Sequence, residues 1–298
     1  MWFLYAVGTL MAWATSDLFY KMGANKDDQY SHLKTGIMVG LVMGIHATFY
    51  LLTGNIEFNI SYLVKYLPVS FFYIASMVIG YKGLRYIELS IASPIQNCSG
   101  IITALLLLVI FKESMAGLDI VGMILMSIGV VYLSYLERCK ERKATNNLIK
   151  VAGLTAIVFP LIYCVLDGMG TFLDAIYLDK LSLLSEDAAL LAYEYTFFLY
   201  GVGLFIYLSF FKKEKIKLGQ EKEKLVAAIF ETIGQFFYVF ALSGNSTLAC
   251  PIVAAYSMGS VLLSRIFLKE KLTLREYFAL MLVIIGIIIL GISEGLAN

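Results

Sequence analysis

"ASPIQNCSGIITALLLLVIFKE", residues 92–113, and "ACPIVAAYSMGSVLLSRIFLKE", residues 249–270, are the same sentence written twice. Each opens on a small residue before Pro-Ile, runs through apolar side chains and closes on Lys-Glu. Pro94 and Pro251 differ by 157 positions, as do Glu113 and Glu270. Extending that shift without a gap pairs Asp17 with Asp174, Tyr20 with Tyr177, Gly44 with Gly201, Tyr50 with Tyr207, Tyr81 with Tyr238 and Gly129 with Gly286. Coincidences of Leu with Leu would carry no information in so apolar a chain, whereas Pro, Asp, Tyr and Gly inside apolar runs do. The chain is therefore an internal duplication.

Composition places both copies in a bilayer. Soluble domains carry about 25% charged residues, but here charged residues are 15% and hydrophobic ones 60%. The mean hydropathy is +0.80. A span needs about 20 mainly apolar residues to cross roughly 30 Å of hydrocarbon. That window predicts ten, at 2–22, 33–53, 66–87, 90–111, 117–136, 148–176, 186–210, 224–243, 246–267 and 272–293. The opening "MWFLYAVGTLMAWATSD" lacks the basic start and small-residue cleavage site of a secretory signal and reads as the first span. The polar stretches 136–147 and 211–224 carry no apolar periodicity, and no soluble domain is expected.

Five spans per copy is an odd number, so the second copy enters the membrane from the opposite face. The expected fold is an all-α integral membrane protein of ten transmembrane helices in two inverted-topology repeats, residues 1–140 and 148–298. Such repeats suit a central site exposed alternately to each side. Loop charge sets the orientation. The side holding the amino terminus collects Lys65, Lys112 and Lys180, and the other side collects the remaining 20 of 23 basic residues. Both termini are thus expected outside the cytoplasm.

Several function classes are excluded or unsupported. A net charge of +1 offers no concentrated basic face for nucleic acid. Cys98, Cys139, Cys164 and Cys250 form no CxxC, and His32 and His46 are far apart, so neither metal site nor disulfide framework is expected. No GxxxxGK[ST] loop supplies an ATPase, and no cofactor motif occurs. No GxSxG or HExxH supports an intramembrane enzyme. An aspartyl pair of Asp17 and Asp174 stays open as an alternative, but antiparallel halves place those two at opposite faces. A membrane sensor is a further alternative that would not need the repeat.

The duplicated segments "GLRYIELSIASPIQNCSG…FKE" and "ALSGNSTLACPIVAAYSMGS…LKE", with "MAWATSDLFYKMGA" near the start, resemble the EamA-type transporters of the drug/metabolite transporter superfamily. The resemblance covers nearly the whole chain. It implies a secondary carrier, with a central cavity lined by the first, third and fourth helices of each half. Members commonly keep both termini in the cytoplasm, whereas the loop charges here predict the reverse.

Each ionisable residue within a span costs at least about 2.5–3.5 kcal/mol and asks for a reason. Asp17 and Lys21, four apart, share a helix face as an ion pair or as a cavity-lining pair. Asp167 and Asp174, two turns apart beside Gly168 and Gly170, suit a wet, cavity-facing helix, with solvation at the membrane surface the alternative for Asp174. Glu231 and Gln235 share a face, and Glu231 has no acidic counterpart in the first copy, which marks it for substrate charge or proton coupling. Gln96, Asn97 and Ser99 form a candidate binding wall beside Pro94. Trp13, Tyr81, Tyr163, Tyr238 and Tyr256 are candidate aromatic contacts to an amphipathic or cationic solute. Glu194 is assigned a hydrogen-bonded structural role, because the resemblance places its helix at the periphery. The expected partners are a small-molecule substrate, leaning amine-bearing, zwitterionic or amphipathic, the lipid bilayer and, if coupled, protons. One chain holds both repeats, so a monomer is expected.

Overall fold

Backbone amides in hydrocarbon must bond within their own segment, so apolar runs of this length fold as helices. The computed structural model describes residues 1–23, 28–54, 56–83, 99–112, 115–144, 149–216, 218–267 and 272–297. Among them no strand occurs. The first half holds α1 (Trp2–Gly23), α2 (Ser31–Thr53), α3 (Ser61–Gly83), α4 (Ser99–Phe111) and α5 (Gly117–Ala144). The second holds α6 (Ile149–Ala175), α7 (Glu186–Ile206), α8 (Lys222–Ala254), α9 (Tyr256–Phe267) and α10 (Leu274–Ala297). Short π-helical turns prolong α6 over Ile176–Lys180 and α7 over Tyr207–Phe211.

Six helical runs are long and apolar enough to cross a bilayer: Ser31–Thr53, Ser61–Ile79, Leu161–Lys180, Glu186–Phe211, Lys222–Phe267 and Leu274–Leu296. Ser99–Phe111 and Gly117–Leu133 are shorter apolar helices. The protein is a multi-pass membrane protein. α1 has the length of a span, but Thr9, Thr15, Ser16, Asp17 and Lys21 make it more polar than those six.

The run Lys222–Phe267 is 46 residues long, about 69 Å if straight and more than twice the hydrocarbon thickness. It is broken at Asn245, whose φ of −167° and ψ of 89° leave the helix. The Asn245 Oδ1 accepts the Leu248 amide at 3.1 Å, the bond of a helix N-cap, so a new helix starts there. This break falls between the spans that the sequence predicts at 224–243 and 246–267. Of the predicted fourth span, residues 90–98 lie outside the described residues, as do Pro94, Glu113 and 268–271.

The packing runs between halves as much as within them. α1 lies against α8 and α9, α3 against α6 and α7, α2 against α7, α4 against α6 and α8, and α5 against α10. Two of these crossings depend on glycine. A Cβ on Gly40 would stand 2.5 Å from the Phe197 carbonyl oxygen and 2.8 Å from the Gly201 Cα, and one on Gly286 would stand 2.7 Å from the Gly122 oxygen. Close backbone approach is how helices gain packing in lipid, where apolar side chains gain little by leaving their surroundings. Leu4, Phe49, Phe71, Val109 and Ile288 point outward as a lipid-facing coat.

Candidate functional site

The polar side chains of α1, α3, α4, α6 and α8 converge in the middle of the bundle. On α6, Asp167 accepts a hydrogen bond from the Ser99 hydroxyl of α4 at 2.7 Å, and Tyr163 is a second side-chain partner. The Thr103 hydroxyl donates to the Gly168 carbonyl at 3.0 Å, tying α4 to the same turn. Thr171 donates to the Asp167 carbonyl at 3.0 Å. Its own hydroxyl accepts from Tyr73 of α3 at 3.1 Å, and Tyr73 in turn meets the Tyr238 hydroxyl of α8 at 2.7 Å.

Two turns along α6, Asp174 is completely buried. The Tyr66 hydroxyl of α3 donates to its Oδ1. Its Oδ2 has no partner among the described residues. This corrects the alternative of a solvated Asp174 at the membrane surface: the π-helical continuation to Lys180 and the packing of α3 cover it.

Trp13 of α1 completes an aromatic wall. Its ring lies 5.1 Å from Tyr238 and 6.0 Å from Tyr256, and its Nε1 donates to the Glu231 carbonyl at 3.3 Å. The approach depends on Gly234, where a Cβ would sit 2.2 Å from Trp13 Cδ1. Beside it, Ser16 donates to the Ala227 carbonyl at 2.9 Å and to Glu231 Oε2 at 3.2 Å. Glu231 lies within electrostatic reach of both Asp17 and Asp167, so acids of α1, α6 and α8 share one region. Gln235, one turn further along α8, is 1% exposed and its Nε2 has no partner among the described residues.

Asp17 and Lys21 lie 3.6 Å apart and are 26% and 27% exposed, so this pair sits toward the wetter end of α1. Tyr81, Gln96 and Asn97 lie outside the described side chains. His46 of α2 is a satisfied histidine: its Nδ1 lies 2.8 Å from a carboxylate oxygen of the buried Glu194. Glu194 thus has a hydrogen-bonded partner on α2. Among the described residues no group of three or more potential metal ligands occurs.

Four residues of this region escaped the sequence reading: Ser16, Tyr66, Tyr73 and Tyr193. Tyr193 of α7 packs 5.7 Å from Tyr73 and lies within electrostatic reach of Glu231, Asp174, Asp167 and Glu194. Among 20 tyrosines no local signal separates these three from lipid-facing ones. Ser16 had one, a hydroxyl directly before the only acid of α1.

The model of the EamA-like transporter family matches residues 1–135 and 154–292. An uncharacterized protein of Methanocaldococcus jannaschii is 31% identical over 145 residues, which span 47% of this chain and 98% of that protein. A solved crystal structure overlays on 98% of this chain and 96% of its own with a TM-score of 0.71 at 12% identity, a likeness of fold.

Proposed function

Since this chain belongs to the EamA-like transporter family, we propose that it is a secondary active transporter that moves a small metabolite by alternating access. Members of the family are transporters rather than enzymes, and the activity is carried by ten spans in two inverted repeats of five. The helix pairing supports this. Under a two-fold exchange of halves, α1 on α8 becomes α6 on α3, α1 on α9 becomes α6 on α4, and α2 on α7 and α5 on α10 map onto themselves; each of these contacts is present. A relative of about half this length, matched over nearly all of itself, agrees with a five-helix unit.

The observation that carries the substrate class is a set of uncompensated acids. Asp167, Asp174 and Glu231 receive hydrogen bonds from Ser99, Tyr66 and Ser16, and none joins a salt bridge among the described residues. Asp174 is fully buried and Asp167 and Glu231 are partly so, and a carboxylate drawn out of water is costly unless a proton or a cation offsets it. A wall of Trp13, Tyr238 and Tyr256 beside these acids favours a solute with an ammonium group and an apolar body. Asp167 and Glu231 bind it or exchange it for protons. The membrane is the cytoplasmic one, with the termini outside and the basic loops within, and the chain works as a monomer.

The test is thermal unfolding of the purified protein against amines, amino acids, nucleosides, sugars and organic acids. A ligand at 100 times its Kd adds about 2.7 kcal/mol. An amine-bearing or zwitterionic compound is expected to raise Tm, and Glu231→Gln to abolish that rise while leaving the unliganded Tm nearly unchanged. Stabilisation by anions alone would overturn the assignment. A carboxyl-terminal reporter active only in the cytoplasm would overturn the orientation.

A further inference from the structure

Where α1 ends and α2 and α8 begin, four charged side chains interlock. The Lys34 ammonium lies 2.7 Å from Asp28 Oδ2 and 4.0 Å from Glu221 Oε1. Lys224 bonds the other oxygen of Glu221. Lys34, Glu221 and Lys224 are 8%, 7% and 3% exposed, which is rare for such residues unless they are paired. Burial alone would raise the Asp28 carboxyl, but hydrogen bonds from Lys34 and the Tyr30 amide hold it below its ordinary value, so it stays charged. Gly23 lets the end of α1 close on the same cluster: a Cβ there would meet Lys224 Cγ at 3.0 Å. Glu214 completes the electrostatic surroundings of Lys34.

The chain contributes to this network from both halves, Asp28 and Lys34 from one, Glu221 and Lys224 from the other. A solvated loop charge would need no such partner. A buried pair across two halves has a large desolvation cost offset only while the partners meet, so its net stability is small and its geometry demanding. Those are the properties of a contact that can open. At the opposite end of the bundle there is instead a cleft of about 450 Å³ beside Trp2, Asp119, Asn245, Leu248 and Glu294. That end has ion pairs of its own, Met1 with Glu294 and Lys180 with Asp179, but each lies apart from a four-membered network such as joins Asp28, Lys34, Glu221 and Lys224.

We infer that Asp28, Lys34, Glu221 and Lys224 form a gate that holds the central site shut on the face where α2 and α8 begin. The inference rests on the transporter reading above. Opening this face requires Lys34 to part from Glu221, which frees the ends of α1 and α8 from each other and leads inward to Ser16 and Glu231.

The experiment needs no substrate. In a protein with Cys98, Cys139, Cys164 and Cys250 replaced by Ala, a reporter Ser16→Cys is placed in sealed vesicles. An impermeant cationic methanethiosulfonate is supplied on the face carrying residues 28–34. Glu221→Gln is expected to raise the labelling rate at least tenfold over the parent, and Lys34→Met, which keeps the Glu221–Lys224 pair, to raise it less. If one variant fails to fold, the other decides. Labelling at the parent rate in the folded variant overturns the gate. That result would leave the transporter reading standing, which falls instead if no solute stabilises the protein.

Discussion

The two corners of the bundle that a 157-residue shift sets opposite each other are closed by different chemistry. At one, where α2 and α8 begin, Asp28, Lys34, Glu221 and Lys224 interlock as ions. At the other, where α6 ends and α7 and α3 begin, the neighbours Lys180 and Asp179 pair within one half, and the groups that meet across the halves are aromatic. Phe58 lies 5.8 Å from Tyr62 and 5.6 Å from Tyr195, Tyr66 lies 5.7 Å from Tyr177, and the Tyr66 hydroxyl rests on Asp174. The 157-residue shift sets Lys34 opposite Leu191, Glu221 opposite Val64 and Lys224 opposite Leu67. Helix pairs related by that shift thus keep their contacts while the residues at the seams differ. An ionic seam opens at little net cost because water and salt replace its partners. An aromatic seam has no such substitute, since its stability comes from packing and one buried hydroxyl.

The comparison breaks most visibly if the aromatic corner proves weak. Tyr66 is fully buried, so Tyr66→Ala is expected to cost about 3–5 kcal/mol, read as loss of Tm in detergent. A loss no larger than that of any ionic-corner variant would erase the distinction. Tyr66→Phe keeps the ring and removes the hydroxyl, leaving Asp174 with no donor among the described residues; about 1–3 kcal/mol is expected.

At the ionic corner, Glu221→Gln keeps an amide oxygen as an acceptor for the two lysines and is expected to cost about 1.5–3 kcal/mol, the scale of a hydrogen bond to a charged group. Its effect should also shrink between low salt and about 1 M salt, where the screening length falls to about 3 Å, whereas the Tyr66→Phe effect should not. Equal salt dependence for both would show that the two seams are electrostatically alike. The smallest expected effect belongs to Asp28. Its folded-state pKa lies below the ordinary 3.8, so its contribution is present in full above that value and is lost as pH falls through the folded value. Asp28→Asn should therefore flatten the acid limb of Tm against pH, by on the order of 0.5 kcal/mol.

Much of the fold was legible because membrane spans obey a one-dimensional rule. Length and apolarity alone separate 224–243 from 246–267, and Asn245 breaks the helix between them. The site was legible in part. Asp167, Glu231, Trp13, Tyr238 and Ser99 stand out as polar or aromatic groups in costly places, and the structure brings them together. Tyr66 and Tyr193 could not be found that way, because a tyrosine facing lipid and one facing an acid look identical in sequence. The partner of His46 was hidden for the same reason: Glu194 lies 148 positions away.

The sequence by itself determined that the chain crosses a membrane repeatedly and that its segments 92–113 and 249–270 echo each other at a spacing of 157, because apolar length and internal spacing are properties of a line. Which acids share a region, which serine or tyrosine meets each carboxylate, and how each seam closes were decided only in three dimensions. Those contacts depend on which face of one helix meets which face of another, and the glycines set that: Gly40 and Gly286 let backbones approach closer than any Cβ would permit, and Gly234 makes room for the Trp13 ring.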